Sequence, residues 1–463
     1  MQNIRRPFNL PENLTIDASK VGNGVSMEIV NEYIRKHETF LRRYEYLEAL
    51  YKGFHSIFKE PEKEDWKPDY RLSVNMPKYM TDTFIGYGYG NPIKEIFHED
   101  DDVNKKIQDF RTDNEITDHE SELVKKTCIY GHAFELIYQN EEAKTKLTAL
   151  TPKELFVVYD DTVKTRALFA VHYGRHEVEG KEQGTLYGEI MTREEIIIFD
   201  DDKITERQAN PYGYIPVIEW RMNDERMGLF EPAAGMIEAL DFTLSSKTND
   251  VAAFAEAIFK IIGMEVTEEQ IQQLRDARVF NMWGDDTAGM DAGYIAKPSA
   301  DATQENLLDR LERLIFMTCS ISNINDEVFG NSSSGTALAY KLLAMSNLAK
   351  SFDRKIEKSI RKRYKVFASL QTNVPESYRD TLHAGMEIVF TRNEPKNLLE
   401  EAQIAQALEG MVSQETQLSI LSFVPDVKKE IDKIKENEEE RMKNSVVDLM
   451  FDQGDVDNGE EQS

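Results

Sequence analysis

The stretch FGNSSSGTALAYKLLAMSNLAKSFDRKIEKSIRKRYKVFASL, residues 329–370, joins a loop of small residues directly to a long helical pattern. The loop half holds Gly, Asn and three consecutive serines, which favour a flexible turn. From Thr336 onward, no Gly or Pro interrupts a spacing of three and four residues, so the sequence predicts a helix over 336–370 with one buried face. The residues of that face are Leu338, Leu342, Met345, Ala349, Phe352, Ile356, Ile360, Tyr364 and Phe367.

Two more helical patterns precede the loop, at 236–262 and 299–322. The first repeats apolar residues at helical spacing and carries alanines between 252 and 257, which allow another helix to approach closely. The second follows N-cap candidates at 299–301. Between them, 263–298 has the pattern of short strands, a helix at 267–278 and a Gly-rich turn. The simplest arrangement is a hairpin of two long helices with a small knob at its tip.

The N-terminal half combines helical and strand patterns. Residues 1–24 are predicted to be a loose arm, and helices are expected over Val25–Phe58, over the start of 75–97 and over 103–127. After Gly131 the apolar residues alternate, which predicts antiparallel strands, and a further short strand is expected at 385–392. The fold class is therefore α+β and mostly helical. The C-terminal part, 394–445, is helical in pattern and is followed by an acidic tail.

The amino-acid composition argues against several classes of function. The chain has 463 residues, a formal net charge of −28 and a pI near 4.8. So acidic a protein is not expected to bind nucleic acid by neutralising phosphates. Its two cysteines, Cys128 and Cys319, lie in apolar stretches without metal-ligand spacing and are predicted to be buried free thiols in a reducing compartment. No apolar run is long enough to span a membrane, and the start lacks a signal peptide pattern.

Motifs for catalysis or cofactor binding are weak. GYGYGNP, residues 86–92, does not match a nucleotide-binding loop and is expected to be a turn or a site of close backbone packing. Carboxylate runs at 98–102, 160–161 and 200–202 could hold Mg²⁺ or Ca²⁺, but their positions at element boundaries favour turns and helix caps. No cofactor is expected. The basic residues Lys358, Arg361, Lys362 and Lys365 share a helix face, which is either solvated or in contact with an acidic neighbour such as a second copy.

The order of these parts resembles the portal protein of tailed bacteriophages, of the long-tailed type. The resemblance covers roughly residues 75–372. It is carried collectively by NMPKYMTDTFIGYGYGNPI, GHAFELIYQNEE with LTPKELFVVYDDT, NPYGYIPVIEWRMND followed by GMIEALDFTLSSKTNDVAAFAEAIFKIIG, and DEVFGNSSSGTALAYKL.

The resemblance implies the portal fold. Its parts would be a wing at 1–235, stem helices at 236–262 and 299–322, a clip at 263–298, a tunnel loop at 323–335, a long helix and wing strand at 336–393, crown-like helices at 394–445 and a disordered acidic tail at 446–463.

The function implied is that of a ring, of twelve subunits in the usual case, at one capsid vertex of the virion after assembly in the host cytoplasm. Double-stranded DNA would pass through the ring without sequence specificity. Partners would be the terminase large subunit, the head-completion adaptor, and the major capsid and scaffolding proteins, with no membrane. The tunnel-loop residues would be Asn325, Asp326, Glu327, Asn331, Ser332, Ser333, Ser334 and Gly335, and the clip contacts Glu268, Glu269, Gln272, Arg275, Asp276 and Trp283. Trp283 could equally fill the core of the knob.

Helix geometry is compatible with such a ring. Twelve helices at roughly 10 Å spacing form a circle about 38 Å across, which leaves an opening of roughly 28 Å once the helix radii are removed. An acidic lining would keep DNA sliding, because basic contacts would bind it. Two other interpretations stay open. One is a helical structural adaptor that does not contact DNA, and the other is a metal-dependent nuclease that uses the carboxylate runs.

Overall fold

The computed structural model describes residues 10–22, 24–64, 67–177, 184–201, 203–254, 259–262, 267, 291–294, 301–323, 335–393, 398–421, 424, 427 and 430–437. The chain divides into two compact units. The larger contains Met1–Asn325 and Lys341–Asn393, and the smaller contains Asp326–Tyr340 and Glu394–Ser463. No helix in these described ranges is long and apolar enough to cross a membrane.

Helices and strands alternate in blocks along the chain. The helices are α1 Met27–Tyr51, α2 Met76–Tyr89, α3 Asp101–Asp113, α4 Ile116–Tyr130, α5 Ala234–Phe254, α6 Asp301–Cys319, α7 Gly335–Phe367, α8 Leu382–Gly385, α9 Leu398–Ala407 and α10 Gln414–Ser419. The strands are β1 Leu14–Ile16, β2 Lys94–Phe97, β3 His132–Gln139, β4 Thr145–Leu150, β5 Leu155–Asp160, β6 Ala167–His176, β7 Thr185–Met191, β8 Glu195–Asp200, β9 Lys203–Ala209, β10 Val217–Arg221, β11 Phe259–Ile262, β12 Asp291–Tyr294 and β13 Met386–Val389.

A six-stranded sheet in the order β1-β5-β6-β7-β8-β9 forms the centre of the larger unit. Along β5, Phe156 and Val158 join a core with Tyr33 and Ile34 of α1, so this helix covers one face. The intervening residues of β5 point to the other face, where they pack on the three-stranded sheet β10-β3-β4. The two-residue period of a strand therefore places one sheet between a helix and a second sheet.

Helix α7 buries the face that its sequence predicts. From Leu342 to Phe367 every apolar residue of the predicted face is buried. Phe352 stacks on Phe84 of α2 with ring centroids 6.2 Å apart, and Phe367 lies 4.4 Å from Phe110 of α3. The α+β class and the helical face are confirmed, and the observed helix ends three residues before the predicted end at Leu370.

The N-terminal predictions need two corrections. The predicted arm over 1–24 contains strand β1, which pairs in parallel with β5. The helix predicted over Val25–Phe58 begins after its N-cap Ser26 but ends at Tyr51. It ends there because Gly53 adopts a φ of 83°, a conformation that favours glycine and leaves the helix.

The predictions for 86–92 and 385–392 are close to the structure. Helix α2 continues through Gly86 and Gly88 before the chain turns. A Cβ on Gly88 would lie 3.8 Å from the Ala349 Cβ, and Arg392 Nη1 donates to the Gly88 carbonyl at 2.9 Å. A Cβ on Gly86 would meet nothing within 4 Å and the contact at Gly88 is an ordinary one, whereas a Cβ on Gly90 would lie 2.5 Å from the Gly86 carbonyl oxygen. The predicted close backbone packing is therefore found at Gly90, and the predicted turn begins only after Tyr89, because Gly86 and Gly88 are helical. The predicted late strand is β13, which pairs with β2.

The two helices predicted at 236–262 and 299–322 have different ends in the structure. The helix expected over 236–262 ends at Phe254, and Phe259–Ile262 is a strand paired with Asp291–Tyr294. This part of the helical prediction is wrong because pairing with a distant strand overrides a locally helical apolar spacing. The second helix covers 301–319 of the predicted 299–322. Most of 263–298 lies outside the described residues, as does the predicted tail 446–463.

The smaller unit contains α9 and α10, and residues 430–437 are also helical. The break between α9 and α10 includes Gly410, whose φ is 77°. The sequence predicts a break near Pro425, a residue outside the described part of the chain. Within this unit the Gln417 side chain donates to the Ala405 carbonyl at 2.8 Å, which ties α10 to α9.

Candidate functional site

The base of the predicted loop is closed by a hydrogen bond. Ser322, after α6, donates from Oγ to the Lys341 carbonyl of α7 at 2.8 Å. The neighbours of these two residues, Ile321 and Leu342, are buried. Ser322 and Lys341, which precede and follow the predicted loop, therefore lie side by side.

Most of the predicted site residues lie outside the part of the chain that the structure describes. Gly335 is the first residue of α7. The other loop residues, Asn325, Asp326, Glu327, Asn331, Ser332, Ser333 and Ser334, lie outside the described residues. The same holds for the predicted clip contacts Glu268, Glu269, Gln272, Arg275, Asp276 and Trp283. The described site is therefore the scaffold that holds the loop and the helix pair.

Helix α7 is fixed by a buried arginine. The Arg363 side chain is fully buried and contacts three buried carboxylates, which come from β2, α4 and β3. Its Nη1 donates to Glu120 Oε1 at 2.6 Å and to Glu95 Oε1 at 3.2 Å, and its Nη2 donates to Glu135 Oε1 at 2.8 Å. The guanidinium also lies 5.4 Å from the Trp220 ring centre. One side chain thus joins α7 to three other elements.

Further partners complete this cluster. Arg111 pairs with Glu95, and the Tyr364 hydroxyl donates to Glu95 Oε2 at 2.5 Å. His119 Nε2 lies 2.8 Å from Glu135 Oε1. Burial alone would raise the pKa of Glu135, but the charge of Arg363 and the contact with His119 outweigh it and lower the pKa to about 2.

Glu120 behaves differently from its neighbour. Burial and the nearby Glu95 carboxylate raise the pKa of Glu120 well above its usual value. Its second oxygen, Oε2, is buried without a hydrogen-bond partner. A protonated carboxyl at this position reduces the excess of negative charge around Arg363.

A second buried network lies under the same helix. Glu219 of β10 accepts hydrogen bonds from Arg226 Nε at 2.6 Å and from the Tyr159 hydroxyl at 2.8 Å, and it pairs with His132 at 2.9 Å. These cationic and hydrogen-bonding groups outweigh burial and hold the pKa of Glu219 well below its usual range. Burial lowers the pKa of His132 to about 4. The Ser359 hydroxyl of α7 donates to the Glu219 carbonyl at 2.9 Å, which links the network to the helix.

Helix α5 carries a polar row that holds an extended segment. Asp241, Ser245 and Asn249 are buried and lie one turn apart on the same face. They accept from the backbone N–H groups of Val74, Leu72 and Tyr70, at 2.7, 2.9 and 2.6 Å. Asn249 Nδ2 and Ser245 Oγ also donate to the carbonyls of Tyr70 and Leu72. Four helical residues rise about 6 Å and two extended residues about 6.6 Å, so the two repeats match.

We call the hydrogen bonds between this polar row and the backbone of residues 70–74 the α5 ladder. Its first rung, at Asp241, includes a buried histidine. His55 Nδ1 pairs with Asp241 Oδ2, and its Nε2 lies 3.0 Å from the Leu50 carbonyl. Burial alone would lower the pKa of His55, but the hydrogen bond and charge of Asp241 outweigh it and raise the pKa above its usual value. The ladder thus anchors α5 to the end of α1.

The α5–α6 helix pair is held together by few described polar contacts. Lys247 pairs with Glu305, and Gln304 lies 3.5 Å from Asp250. Large apolar side chains on both helices are exposed: Phe242 by 56%, Val251 by 62%, Leu307 by 45% and Met317 by 66%. Phe242 and Val251 are nine residues apart and therefore lie on opposite sides of α5. Each of the four side chains is a candidate position for contact with another protein.

The other sequence predictions have clear outcomes. Cys128 and Cys319 are buried free thiols, as predicted. Asp100 caps α3 by accepting from the Val103 N–H, and Asp160 accepts from the Arg166 N–H across a turn, so both serve local structure as expected. No group of three or more metal-ligating side chains occurs in the described ranges.

The buried arginine and the polar row were not predicted. Arg363 interrupts the apolar face between Ile360 and Phe367, at a position where helical spacing requires burial. Asp241, Ser245 and Asn249 repeat every four residues on a helix that is otherwise largely apolar. Both signals are visible in the sequence, but their partners lie 167 to 268 residues away along the chain.

Comparison with known proteins identifies a family. The family model described as "Phage portal protein, SPP1 Gp6-like" matches residues 30–444. The portal protein of Bacillus phage SPP1 is 23% identical over 426 residues, which cover 86% of this chain and 82% of that protein. 

Two solved structures are more distant. One is described as "Neck of native GTA particle computed with C12 symmetry"; its chain is 13% identical, with a TM-score of 0.42, covering 75% of this chain and 88% of that chain. The other, "Neck of empty GTA particle computed with C6 symmetry", has 13% identity and a TM-score of 0.41, covering 74% and 88%. Neither structure is similar enough to this chain to indicate its function.

Proposed function

The chain belongs to the phage portal protein family of the SPP1 Gp6-like type, and from this premise we propose that it assembles into a ring through which double-stranded DNA is packaged and ejected. The family is structural and not enzymatic. The observation that carries the proposal is the family match over residues 30–444, which includes the α5–α6 pair, the loop and α7.

The exposed apolar side chains of the α5–α6 pair support a ring of copies. A cyclic ring needs two different surfaces on each subunit that fit each other. Phe242, Val251, Leu307 and Met317 offer apolar area that a neighbouring copy would cover. We propose twelve subunits at one capsid vertex of the virion, assembled in the host cytoplasm.

The scaffold around α7 supports a channel loop at 323–335, which lies between Ser322 and Lys341. A loop that meets moving DNA needs a fixed base, and the Ser322–Lys341 hydrogen bond and the Arg363 cluster provide one. The loop sequence, with Asp326, Glu327 and serines at 332–334, presents acids and small hydroxyls. An acidic conduit would guide DNA without binding it, because there is little counterion release to favour contact.

The remaining partners follow from the same family. The knob at 263–298 would bind the terminase large subunit during packaging and the head-completion adaptor afterwards. Glu268, Glu269, Gln272, Arg275, Asp276 and Trp283 would form that contact surface. The major capsid and scaffolding proteins would surround the ring.

Electron microscopy of the purified full-length protein tests the ring. End-on views are expected to show about twelve lobes around a hole of roughly 28 Å, the opening left by twelve packed helices. Particles that stay monomeric or dimeric at every concentration and salt would contradict the channel and favour a structural adaptor.

A charge reversal tests the loop. We expect Asp326→Lys with Glu327→Lys to leave ring formation unchanged but to slow DNA packaging in a phage complementation assay, because new cations would bind phosphates. The matched control is Glu141→Lys with Glu142→Lys, two exposed residues of the turn between β3 and β4. Equal packaging by both variants would argue against DNA contact at the loop.

A further inference from the structure

The exposed face of α7 carries cations that belong to no ion pair among the described residues, although Asp224 lies close enough to Lys358 to interact with it electrostatically. Lys350, Arg354 and Lys358 are exposed and follow one another at intervals of four residues. Each interval rises about 6 Å along the helix, so the three cations form one straight row about 12 Å long. We call this row, Lys350, Arg354 and Lys358, the α7 basic row.

The acids nearest in sequence or packing are already paired with other bases. Asp353 pairs with Arg392, and the Tyr89 hydroxyl donates to it at 3.0 Å. Glu357 pairs with Arg361 at 2.8 Å, and Asp224 pairs with Lys355 at 2.6 Å. Within the part of the chain that the structure describes, the three cations of the basic row therefore have no ion pair.

Such a row is unusual for this composition. The chain has 84 acidic and 56 basic residues, so an exposed base should readily find an acid nearby. A cation row whose neighbouring acids are paired with other bases adds positive potential along one helix. This potential suits an anion with charges spaced along a line.

The polar side chains beside the cations indicate which kind of anion the row would bind. Asn347 and Ser351 are exposed on the same face, and both can donate hydrogen bonds to phosphate oxygens. The nearest exposed apolar side chain on this face is Leu343, two turns before Lys350. Protein interfaces are enriched in aromatic residues and depleted in lysine, so this face has the composition of a phosphate-binding surface.

We infer that the α7 basic row is a second, sequence-independent contact for the phosphate backbone of double-stranded DNA, separate from the proposed channel loop. The choice of DNA rests on the proposed function. The contact would be weak and strongly salt-dependent, because three cations neutralise few phosphates and the chain as a whole repels DNA. Repetition around a ring would strengthen it through multivalency.

The test is a binding titration with the full-length protein and a labelled duplex of mixed sequence, followed by fluorescence anisotropy over a range of salt. Three phosphate contacts predict a slope of log K against log salt of about −2.7, which is roughly a 40-fold loss of affinity between about 50 and about 200 mM salt. The triple variant Lys350→Gln, Arg354→Gln, Lys358→Gln should lose this slope almost completely.

The matched control removes three exposed cations elsewhere in the larger unit, Arg35→Gln, Arg42→Gln and Arg193→Gln. It changes the net charge equally and should keep the slope of the unmodified protein. Equal slopes for both triple variants, or no binding by the unmodified protein at low salt, would overturn the inference.

Electron microscopy of the same variants separates this inference from the ring proposal. A triple variant of the basic row that forms rings normally but binds DNA more weakly supports the inference. If that variant instead loses assembly while DNA binding is unchanged, the row contacts an acidic face of a second copy, and the DNA assignment is wrong. Absence of rings in the unmodified protein would contradict the ring proposal. The salt dependence of DNA binding by the unmodified protein and the two triple variants could still be compared, so the inference about the basic row would be tested independently.

Discussion

Helix α7 and the α5–α6 pair are both long and both flank the loop, yet they are held by different contacts. Helix α7 is fixed by Arg363, whose side chain is buried among three carboxylates. Helix α5 is fixed to the rest of its unit by polar side chains that bind the backbone of residues 70–74, while Phe242 and Val251 remain exposed.

The difference shows which region is complete in a single chain. Around α7 the apolar face from Leu342 to Phe367 is buried and the buried charge of Arg363 is paired, so most of this region is complete within one copy; Tyr340 and Leu343, near the start of the helix, stay exposed. The α5–α6 pair keeps apolar area in solvent, which costs free energy unless another surface covers it. The comparison predicts that mutations at α7 reduce the stability of the single chain, whereas mutations on the exposed faces of α5 and α6 reduce assembly.

The largest effect on stability is expected at Arg363. Arg363→Met should lower the free energy of unfolding by about 3–5 kcal/mol, because it leaves buried carboxylates without their cation. Chemical denaturation followed by circular dichroism measures it. Arg361→Met, which removes a partly exposed pair on the same helix, should cost less than about 1 kcal/mol. Similar losses for both variants would show that the cluster is not what fixes α7.

A smaller loss is expected at the first rung of the α5 ladder. Asp241→Ala should cost about 3 kcal/mol, because it leaves buried His55 and the Val74 N–H without an acceptor. Asp309→Ala on the exposed side of α6 is the control and should change stability by no more than about 0.5 kcal/mol. The same denaturation assay applies, and a neutral Asp241 variant would mean that apolar packing alone holds α5.

Acid should act first on the networks under α7. The pKa of Glu135 is lowered to about 2 and that of Glu219 lies well below its usual value of 4.5. Both folded-state values are below the unfolded one, so their stabilisation is complete above pH 4.5 and is lost as the pH falls from there towards 2. Thermal unfolding at a series of pH values measures this, and Glu135→Gln should flatten the decline. An unchanged acid limb in that variant would contradict the assignment.

Alkali should act instead on the α5 ladder. The pKa of His55 is raised above its usual value of 6.5, so its stabilisation is complete below pH 6.5 and is lost as the pH rises through the raised value. Asp241→Asn keeps an acceptor for Val74 but removes the charge, and should abolish this alkaline loss. Nuclear magnetic resonance titration of His55 measures this pKa directly. A value below 6.5 would show that Asp241 does not stabilise the protonated form of His55.

The smallest effect on stability is expected on the exposed face of α5. Phe242→Ser should change the free energy of unfolding by no more than about 0.5 kcal/mol, since the side chain is already largely in solvent. Ring formation, measured by analytical ultracentrifugation, should nevertheless weaken. Exposed Val163→Ser, in the turn after β5, is the control and should leave assembly unchanged. Loss of folding in the Phe242 variant would contradict the expectation that exposed residues of α5 affect assembly and not the stability of the single chain.

Features that depend on a local repeat of apolar residues were predictable from the sequence. The buried face of α7 was predictable because apolar residues every three or four positions can share one side only in a helix. The strands after Gly131 were predictable from alternation, and the family resemblance followed from the order of the parts. The helix pair was also expected, although its first member proved shorter than predicted.

Other features depend on partners that are distant in the sequence, and these were visible only in the folded structure. Phe259–Ile262 has an apolar spacing that suits a helix, but pairing with Asp291–Tyr294 makes it a strand. Leu14–Ile16 is a strand only because β5 lies beside it. Arg363 can be buried only because Glu95, Glu120 and Glu135 converge on it from three elements. The cost of burying a charge depends on partners that the fold assembles, and no local pattern specifies them.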